Sequence, residues 1–174
     1  WARLIDKESA RPFYVYNTHM DHQSQRAREN GVQLIMKTIK ERTHPDPFIL
    51  MGDFNAHESN PVIAYLKGTG KLAGHSPIPV VDSWRVLHPE EKVVGTSSRF
   101  TGYLDGPKID YILVTPDTRT LEATIVRTNR DGRYPSDHYP VTAQLRFEEN
   151  VSARGERETK VEQAPADPKQ NGTK

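Results

Sequence analysis

Apolar residues in the first third of the chain predict a strand, a helix and a second strand. Residues 13–18 are rich in aromatic and β-branched side chains, which is typical of a strand, and residues 4–12 before them indicate a strand end and a turn, so we expect a hairpin. Residues 24–42 carry apolar side chains at helical spacing, namely Val32, Ile35, Met36 and Ile39. Residues 48–51 form a continuous apolar run that stops at Gly52, which indicates a strand buried on both faces.

The remaining apolar patterns predict one more helix and three more strands. Asn60 and Pro61 form a cap and a first-turn proline for a short helix over residues 62–67. Residues 69–107 are rich in Gly, Pro and Ser, so we expect mainly loops there. Further strands are predicted at residues 108–115, 121–127 and 141–147.

The composition predicts one domain and a polar tail. A chain of 174 residues is long enough for one ordinary domain, which we assign to residues 1–147. Apolar residues almost vanish after Phe147, and residues 148–174 cannot bury enough surface to offset chain entropy. We therefore expect a disordered polar tail over residues 148–174.

Charge and residue usage exclude several classes of protein. The net charge is +1, whereas a protein that holds duplex DNA mainly by phosphate attraction is strongly basic. The sequence has no cysteine, which excludes disulfides, thiolate metal sites and a cysteine nucleophile. No apolar run in the sequence reaches transmembrane length. These features predict neither a cellular location nor a protein partner.

Four polar clusters lie at or near the ends of predicted strands. They are NTHMDH at residues 17–22, GDFN at 52–55, KID at 108–110 and SDH at 136–138. Each cluster alone is compatible with a structural role, such as a helix cap at Asp21 or a core histidine at His19. Asp110 is different, because it lies inside an apolar strand, where a carboxylate without a partner is costly to bury.

In order and in wording, the segments NTHMDH, GDFN, KIDYILV and SDHYPV resemble the endonuclease/exonuclease/phosphatase superfamily, which has the deoxyribonuclease-I-like fold. The likeness covers residues 1–147, and residues 132–138 (GRYPSDH) resemble a bacterial-type branch of that superfamily. The resemblance implies an α/β fold, a four-layered α-β-β-α sandwich in which two mixed sheets lie face to face. It also implies an enzyme that hydrolyses a phosphodiester or phosphomonoester with a divalent metal ion.

The resemblance also implies roles for residues of the four clusters. His19 would contact the scissile phosphate, and Asn55 would hold a phosphate oxygen. Asp53 would orient or deprotonate the attacking water. Asp110 would pair with His138 and so satisfy its burial.

The implied metal environment contains Asp137 and Asp53. Carboxylates with an amide form a hard oxygen-donor set, which suits Mg²⁺ or Mn²⁺ better than zinc. Phosphoester hydrolysis needs an activated water and neutralised phosphate oxygens. A histidine held by a buried carboxylate has a fixed tautomer and a favoured imidazolium, but the sequence leaves open whether His138 donates a proton, accepts one or stabilises charge.

Two segments flank the predicted site and contain candidate substrate contacts. Residues 99–103 include Phe100, and residues 129–133 include Arg133. These segments either hold sugar or anionic groups of a substrate or are simply solvated loops. For Phe100 and Arg133 we favour contact with the substrate. The substrate is a phosphoester, either a small molecule or a nucleic acid, and the near-neutral charge argues against processive binding of long nucleic acid.

Two motifs of the resembled family are not found in this sequence. They are an Asn at a strand end and a Glu that is the principal metal ligand, both in the N-terminal half of the family's domain. We therefore expect the chain to be the C-terminal portion of the domain, holding one sheet and part of the other. Alone, it would have an incomplete metal site and an uncovered apolar face, and would be inactive and prone to aggregation.

Other functions fit the sequence less well. A degenerate family member that serves as a binding or scaffold module is the alternative, but the site residues of the second half of the family's domain are all present. A metallo-β-lactamase-like hydrolase is disfavoured because Asn17 stands where its HxHxDH motif needs a histidine.

Overall fold

The structure is a computed structural model that describes residues 1–148. The tail predicted for residues 148–174 lies outside the described residues from position 149 onward, so its disorder stays a prediction. Within residues 1–148, no helix has the length and apolar character needed to cross a membrane.

Strands and helices alternate along the described residues. In chain order they are β1 (Ala2–Ile5), β2 (Pro12–His19), α1 (Gln25–Lys40), β3 (Phe48–Asp53), α2 (Pro61–Leu66), β4 (Val81–Asp82), α3 (Ser83–Leu87), β5 (Asp110–Val114), β6 (Thr118–Ile125) and β7 (Val141–Phe147).

The expected hairpin and strand–helix–strand unit are present as β1, β2, α1 and β3. The side chain of Ser24 caps α1 by accepting a hydrogen bond from the amide of Ala27. Val32, Met36 and Ile39 lie on the predicted apolar face and are fully buried. Helix α1 therefore forms because a capped segment carries a continuous apolar stripe that the sheet can cover.

The first sheet has the strand order β1-β2-β3-β5-β4. It is mixed, because β2 and β3 are parallel while the other neighbours are antiparallel. Successive side chains of a strand point to opposite faces, so one face of this sheet packs on α1 and α2. The buried side chains on that face include Tyr14, Tyr16, Phe48, Leu50, Tyr111 and Leu113.

The second sheet lies against the other face of the first. Within the described residues it consists of the antiparallel pair β6–β7, with an irregularity between Thr120 and Glu122. The rings of Phe13 and Phe147 meet between the sheets, with centroids 5.5 Å apart. A groove of about 510 Å³ lies between the sheets and is lined in part by Ile49. The expected α/β arrangement of two facing sheets is therefore present.

A smaller core forms where α3 meets the second sheet. Trp84 of α3 packs with Ala123, Ile125 and Tyr139, so it is a core residue. This packing joins the end of β4 to β6 and fixes the segment that precedes β7.

The end of β3 differs from the sequence prediction in a way that bears on the site. We expected the strand to stop before Gly52, but β3 continues to Asp53, and Gly52 pairs with Thr18 on one side and Tyr111 on the other. The φ angle of Gly52 is 131°, and a Cβ atom there would lie 1.9 Å from the carbonyl oxygen of Thr18. Gly52 is therefore a point of close approach between strands and not a turn residue.

Replacing Gly52 by alanine should destabilise the domain. The Cβ would push β2 and β3 apart and the residue would keep an unfavourable φ, so we expect Gly52→Ala to lower the free energy of unfolding by roughly 2–3 kcal/mol. Equilibrium urea unfolding measures this change. Gly31→Ala is the matched control, because a Cβ at Gly31 meets nothing within 4 Å and helix α1 should gain about 0.5–1 kcal/mol. Equal stability of Gly52→Ala and the native chain would contradict the argument.

Candidate active site

Three neighbouring strands bring His19, Asp53 and Asp110 side by side. Strands β2 and β3 are parallel, and their last residues, His19 and Asp53, are register partners. Strand β5 runs the other way and begins at Asp110, which is the register partner of Asp53. The topology of the sheet therefore brings polar residues from distant parts of the chain together at one end of its central strands.

His138 completes this row from the loop before β7. Its Nδ1 lies 2.9 Å from Oδ2 of Asp110, and 29% of the His138 side chain and 18% of the Asp110 side chain are exposed. The amide of Tyr139 donates to the carbonyl oxygen of Thr96, which holds the loop in place. Asp110 thus has the partner that its position in an apolar strand requires.

The Asp110–His138 pair shifts the protonation of both groups. Burial raises the pKa of Asp110, although hydrogen bonds with Thr96 and His138 oppose this. Burial by itself would lower the pKa of His138, but the charge and hydrogen bond of Asp110, with smaller effects of Asp53 and Asp137, raise it above its ordinary value of 6.5. The imidazolium form of His138 is therefore more favoured than that of an ordinary histidine.

Asp53 is the contact point for His19 and Asn55. Nε2 of His19 lies 3.4 Å from Oδ2 of Asp53. The side-chain amide of Asn55 donates to the same oxygen at 3.3 Å and to the carbonyl oxygen of Met20 at 2.9 Å. Asn55 has a φ of 46°, a left-handed conformation that asparagine tolerates better than most residues, and this turn directs its amide back toward Asp53. His19 is the most open of the three, with 76% of its side chain exposed.

The ligand atoms of Asp53, Asp110 and His138 lie as close together as those of a metal site, and His138 could be a ligand there only in its neutral form. One ligand atom from each of them lies within 4.8 Å of the others, and all three residues are half-buried. Two carboxylates next to the Asn55 amide form an oxygen-rich donor set, which fits Mg²⁺ or Mn²⁺. Asp137 is not one of these three residues: it is exposed, and its carbonyl oxygen accepts hydrogen bonds from two loop amides.

A hollow adjoins these side chains. It has a volume of about 290 Å³, close to the lower limit for small-molecule sites, and it lies between the first sheet and the segment before β7. Asp53, Asp110 and His138 line it, together with Asn17 and Ser136. His19 and Asn55 reach the site through Asp53 and do not line this hollow. The arrangement leaves space for an anion beside a carboxylate and an imidazolium.

The loop that carries Phe100 is joined to the site by its backbone. The amides of Ser98 and Arg99 donate to the carbonyl oxygen of Asp137, the residue before His138, at 2.6 and 3.0 Å. Arg99 and Phe100 both have positive φ angles, 51° and 58°. The loop thus fixes Phe100 near the site with 58% of the residue exposed.

Arg133 lies in a tight turn before His138. The backbones of Arg130 and Arg133 bond to each other in both directions, and Asp131 and Gly132 between them have φ angles of 52° and 74°. Positive φ at both central residues is typical of a type I′ turn. Arg133 is exposed on this turn, so its guanidinium is free of the protein core.

Three buried polar residues beside the site have contacts that the sequence did not predict. Lys108 and Asp82 form an ion pair with both side chains fully buried. Thr96 is also buried, and its hydroxyl oxygen accepts hydrogen bonds from the amides of Ile109 and Asp110. A charged residue in each of two apolar segments was the available signal, but the sequence could not show that the two charges meet.

A carboxylate–imidazole pair that faces a second carboxylate at the ends of neighbouring strands is suited to hydrolysis. Comparisons with known proteins also point to a family of hydrolases. The model of the Endonuclease/Exonuclease/phosphatase family matches residues 2–138. The chain therefore belongs to this family of phosphoester hydrolases, which confirms the resemblance seen in the sequence.

Individual relatives cover most of this chain. Nocturnin of Drosophila melanogaster is 30% identical over 167 residues, which include 79% of this chain and 26% of that protein. The solved mannosyl-6-phosphatase of Bacteroides thetaiotaomicron is 27% identical, with a TM-score of 0.65, and the match covers 82% of this chain and 54% of that one. A conserved protein of unknown function from Enterococcus faecalis is 28% identical, with a TM-score of 0.66, and the match covers 82% of this chain and 53% of that one. The chain thus spans about a quarter of the first relative and about half of the two solved chains.

The Asp110–His138 contact predicts the titration of His138. We expect a pKa above 6.5 in the native chain and a lower pKa in Asp110→Asn, because the carboxylate charge is lost. NMR titration of the imidazole measures both values. Asp117→Asn, an exposed acid beyond the far end of β5, is the control and should leave the pKa of His138 unchanged.

The same shift fixes the sign of a stability effect. Because the pKa is raised by folding, the stabilisation from protonated His138 is fully present below pH 6.5 and is lost as the pH rises through the folded-state pKa. The stability difference between the native chain and His138→Gln should therefore shrink with rising pH across that window. A difference that grows with pH would contradict the assignment.

Proposed function

We propose that this chain carries the site of a divalent-metal-dependent phosphoesterase, with the substrate phosphate beside Asp53 and His138. The observation that carries the proposal is the 2.9 Å contact between His138 and Asp110. Asp110 is the register partner of Asp53 on the neighbouring strand, so the pair lies beside the Asp53 carboxylate. A buried carboxylate, a favoured imidazolium and a second carboxylate are the groups that attack on a phosphoester requires.

Each side chain has a separate task in this proposal. Asp53 orients the attacking water and accepts its proton, since its carboxylate lies at the mouth of the hollow. His138 donates toward the negative charge that develops on the phosphoryl oxygens, and Asp110 keeps its Nδ1 protonated and its ring in place. The open imidazole of His19 binds a remaining phosphate oxygen. The amide of Asn55 binds another by giving up its long 3.3 Å contact with Asp53, while it keeps its hydrogen bond to the carbonyl oxygen of Met20.

The metal ion belongs to the proposal at the same site. Mg²⁺ or Mn²⁺ would be held by Asp53, with Asp137 as a further contributor, and would supply positive charge to the phosphate and the leaving group. The half-buried carboxylate of Asp53 suits this role, because it already has several polar neighbours and keeps one side toward the hollow.

We further propose that the chain is the C-terminal portion of the catalytic domain and is inactive by itself. The support is the missing Glu motif in the sequence, together with the match to about half of each solved relative. Partly exposed apolar side chains on the inner face of the first sheet, such as Ile49 and Met51, agree with a face that more chain would cover. Such a face also favours aggregation of the isolated chain.

The substrate class is a phosphoester with a sugar or other polar leaving group. A relative named as a mannosyl-6-phosphatase supports a small phosphorylated substrate, and the net charge of +1 gives no support to long nucleic acid. Phe100 would pack on the face of a sugar or base, and Arg133 would bind an anionic group of the substrate.

Activity should depend on both the metal and the central residues. We expect the longer gene product that contains this chain to hydrolyse members of a panel of sugar phosphates, nucleotides and oligonucleotides with Mg²⁺ or Mn²⁺, and to lose this activity with a chelator. Asp53→Ala and His138→Ala should each lower kcat by at least about 100-fold, the usual scale for a proton-transfer group. Glu122→Ala and His44→Ala, at exposed positions outside the site, are the controls. Chelator-resistant turnover would contradict the mechanism.

The isolated chain provides a second test. Under the same conditions, the 174-residue chain should show no hydrolysis above background, because the metal site would be incomplete. Activity equal to that of the longer gene product would refute this part of the proposal and leave the rest intact.

The two flanking residues should affect binding more than chemistry. Phe100→Ala and Arg133→Ala should each raise KM by about tenfold, on the scale of one stacked ring or one charge-assisted hydrogen bond, with kcat changed less than about twofold. Leu104→Ala, at another exposed apolar residue, is the control. Unchanged KM in both variants would remove Phe100 and Arg133 from the substrate site.

A further inference from the structure

Lys108 is a buried cation for which the proposed mechanism has no task. Its side chain is completely enclosed, and it lies two residues before Asp110 in the sequence. Enclosing an ammonium group is unfavourable unless it is paired and fully hydrogen-bonded. A buried ammonium group is not needed to form a strand, so Lys108 has another role in the structure.

The ammonium of Lys108 makes three contacts. Nζ lies 3.0 Å from Oδ2 of Asp82, whose side chain is also fully buried. It donates a hydrogen bond to the backbone carbonyl oxygen of Asp110 at 2.9 Å. It also lies 3.6 Å from the centre of the Tyr111 ring, where a cation is attracted by the ring electrons.

These contacts hold the backbone of Asp110 from one side, while Thr96 holds it from the other. The carbonyl of Asp110 accepts from Lys108, and its amide donates to the hydroxyl oxygen of Thr96 at 3.2 Å. With both peptide groups restrained, the Asp110 side chain has little freedom except rotation about its own bonds. The direction of its carboxylate toward His138 is thus set by buried neighbours.

Tyr111 extends the same arrangement to the loop after β3. Its hydroxyl lies 2.9 Å from the carbonyl oxygen of Ala56 and 2.8 Å from that of Lys108, and its single proton is shared between these two acceptors. Its ring packs edge-to-face on Phe54 with centroids 5.5 Å apart. Phe54 and Ala56 flank Asn55, so the ring under the Lys108 ammonium also supports the turn that carries the site amide.

Asp82 is a rigid anchor for this cation. Its Oδ1 caps α3 by accepting from the amide of Trp84 at 3.1 Å, while Oδ2 faces Lys108. Asp82 also pairs with Leu113 in the sheet. Both ends of the ion pair therefore belong to the packed core and not to mobile surface loops.

We propose that Lys108 and Asp82 form a buried positioning pair that aims the Asp110 carboxylate at His138. The pair acts through the backbone of Asp110 and through Tyr111, and it does not touch the substrate. Its effect on turnover rests on the proposed function, whereas its effect on the Asp110–His138 contact does not.

A double variant tests the pair without leaving a lone buried charge. Lys108→Met with Asp82→Asn removes both charges, nearly preserves volume and keeps a capping side chain on α3. The matched control is Arg3→Met with Asp46→Asn, an ion pair of 2.7 Å near the opposite end of the first sheet. Cooperative urea unfolding selects folded proteins for the comparison.

The first readout is independent of activity. NMR of the longer gene product detects the Nδ1 proton of His138, which the contact with Asp110 should protect from exchange with water. In the double variant we expect this proton to exchange at least about tenfold faster, whereas the control pair should leave the rate unchanged. A folded double variant with native exchange at His138 would overturn the proposal.

The second readout is turnover of the longer gene product. We expect the double variant to lower kcat by about 10- to 100-fold with KM changed less than twofold, because a misaimed His138 weakens only transition-state contacts. The control pair should retain the native kcat. A native kcat in the folded double variant would overturn the proposal as well. If the native protein hydrolyses no phosphoester, the proposed function fails, and the exchange measurement still decides the positioning pair.

A single variant covers the case in which the double variant does not fold. Asp82→Asn keeps the cap and the lysine and should give an intermediate increase in exchange at His138. If neither variant folds, the pair serves the whole fold rather than the site, and the positioning proposal is wrong.

Discussion

The unfavourable burial of charge at one end of the first sheet is the constraint on which the rest of the structure depends. Asp110 is satisfied by His138 and Lys108 by Asp82, and each pair joins segments that are remote in the chain. Removing one partner of a buried pair typically costs about 3–5 kcal/mol, because the other charge stays uncompensated. The requirement for partners therefore stabilises one arrangement of the loops around β5 and positions the site in the same step.

Close backbone approach supplies the second part of the geometry. Gly52 lets β2 and β3 pair through their last residues, since a side chain at this position would strike the carbonyl of Thr18. The register then sets His19 beside Asp53 and Asp53 beside Asp110. The candidate site thus lies where close backbone approach restrains the strands, which suits groups that must keep fixed distances in a reaction.

The candidate catalytic residues and the proposed substrate contacts come from different kinds of backbone. The candidate catalytic residues lie at strand ends and just before Tyr139, while Phe100 and Arg133, the proposed substrate contacts, lie on turns with positive φ angles. Such turns can change in sequence without disturbing the sheet, because their backbone bonds are local or directed to one carbonyl oxygen. In the proposed function, chemistry and recognition therefore belong to separate parts of the chain.

The sequence by itself determined the local elements and the chemical types at the site. The apolar stripe of α1, the run at residues 48–51 and the isolated Asp110 follow from spacing and from burial costs that act over a few residues. The extension of β3 through Gly52 and the pairing of Lys108 with Asp82 were not predictable in this way. Long-range packing decides which strands approach too closely for a Cβ atom and which buried charges form a pair. Only the tertiary structure determined these two features.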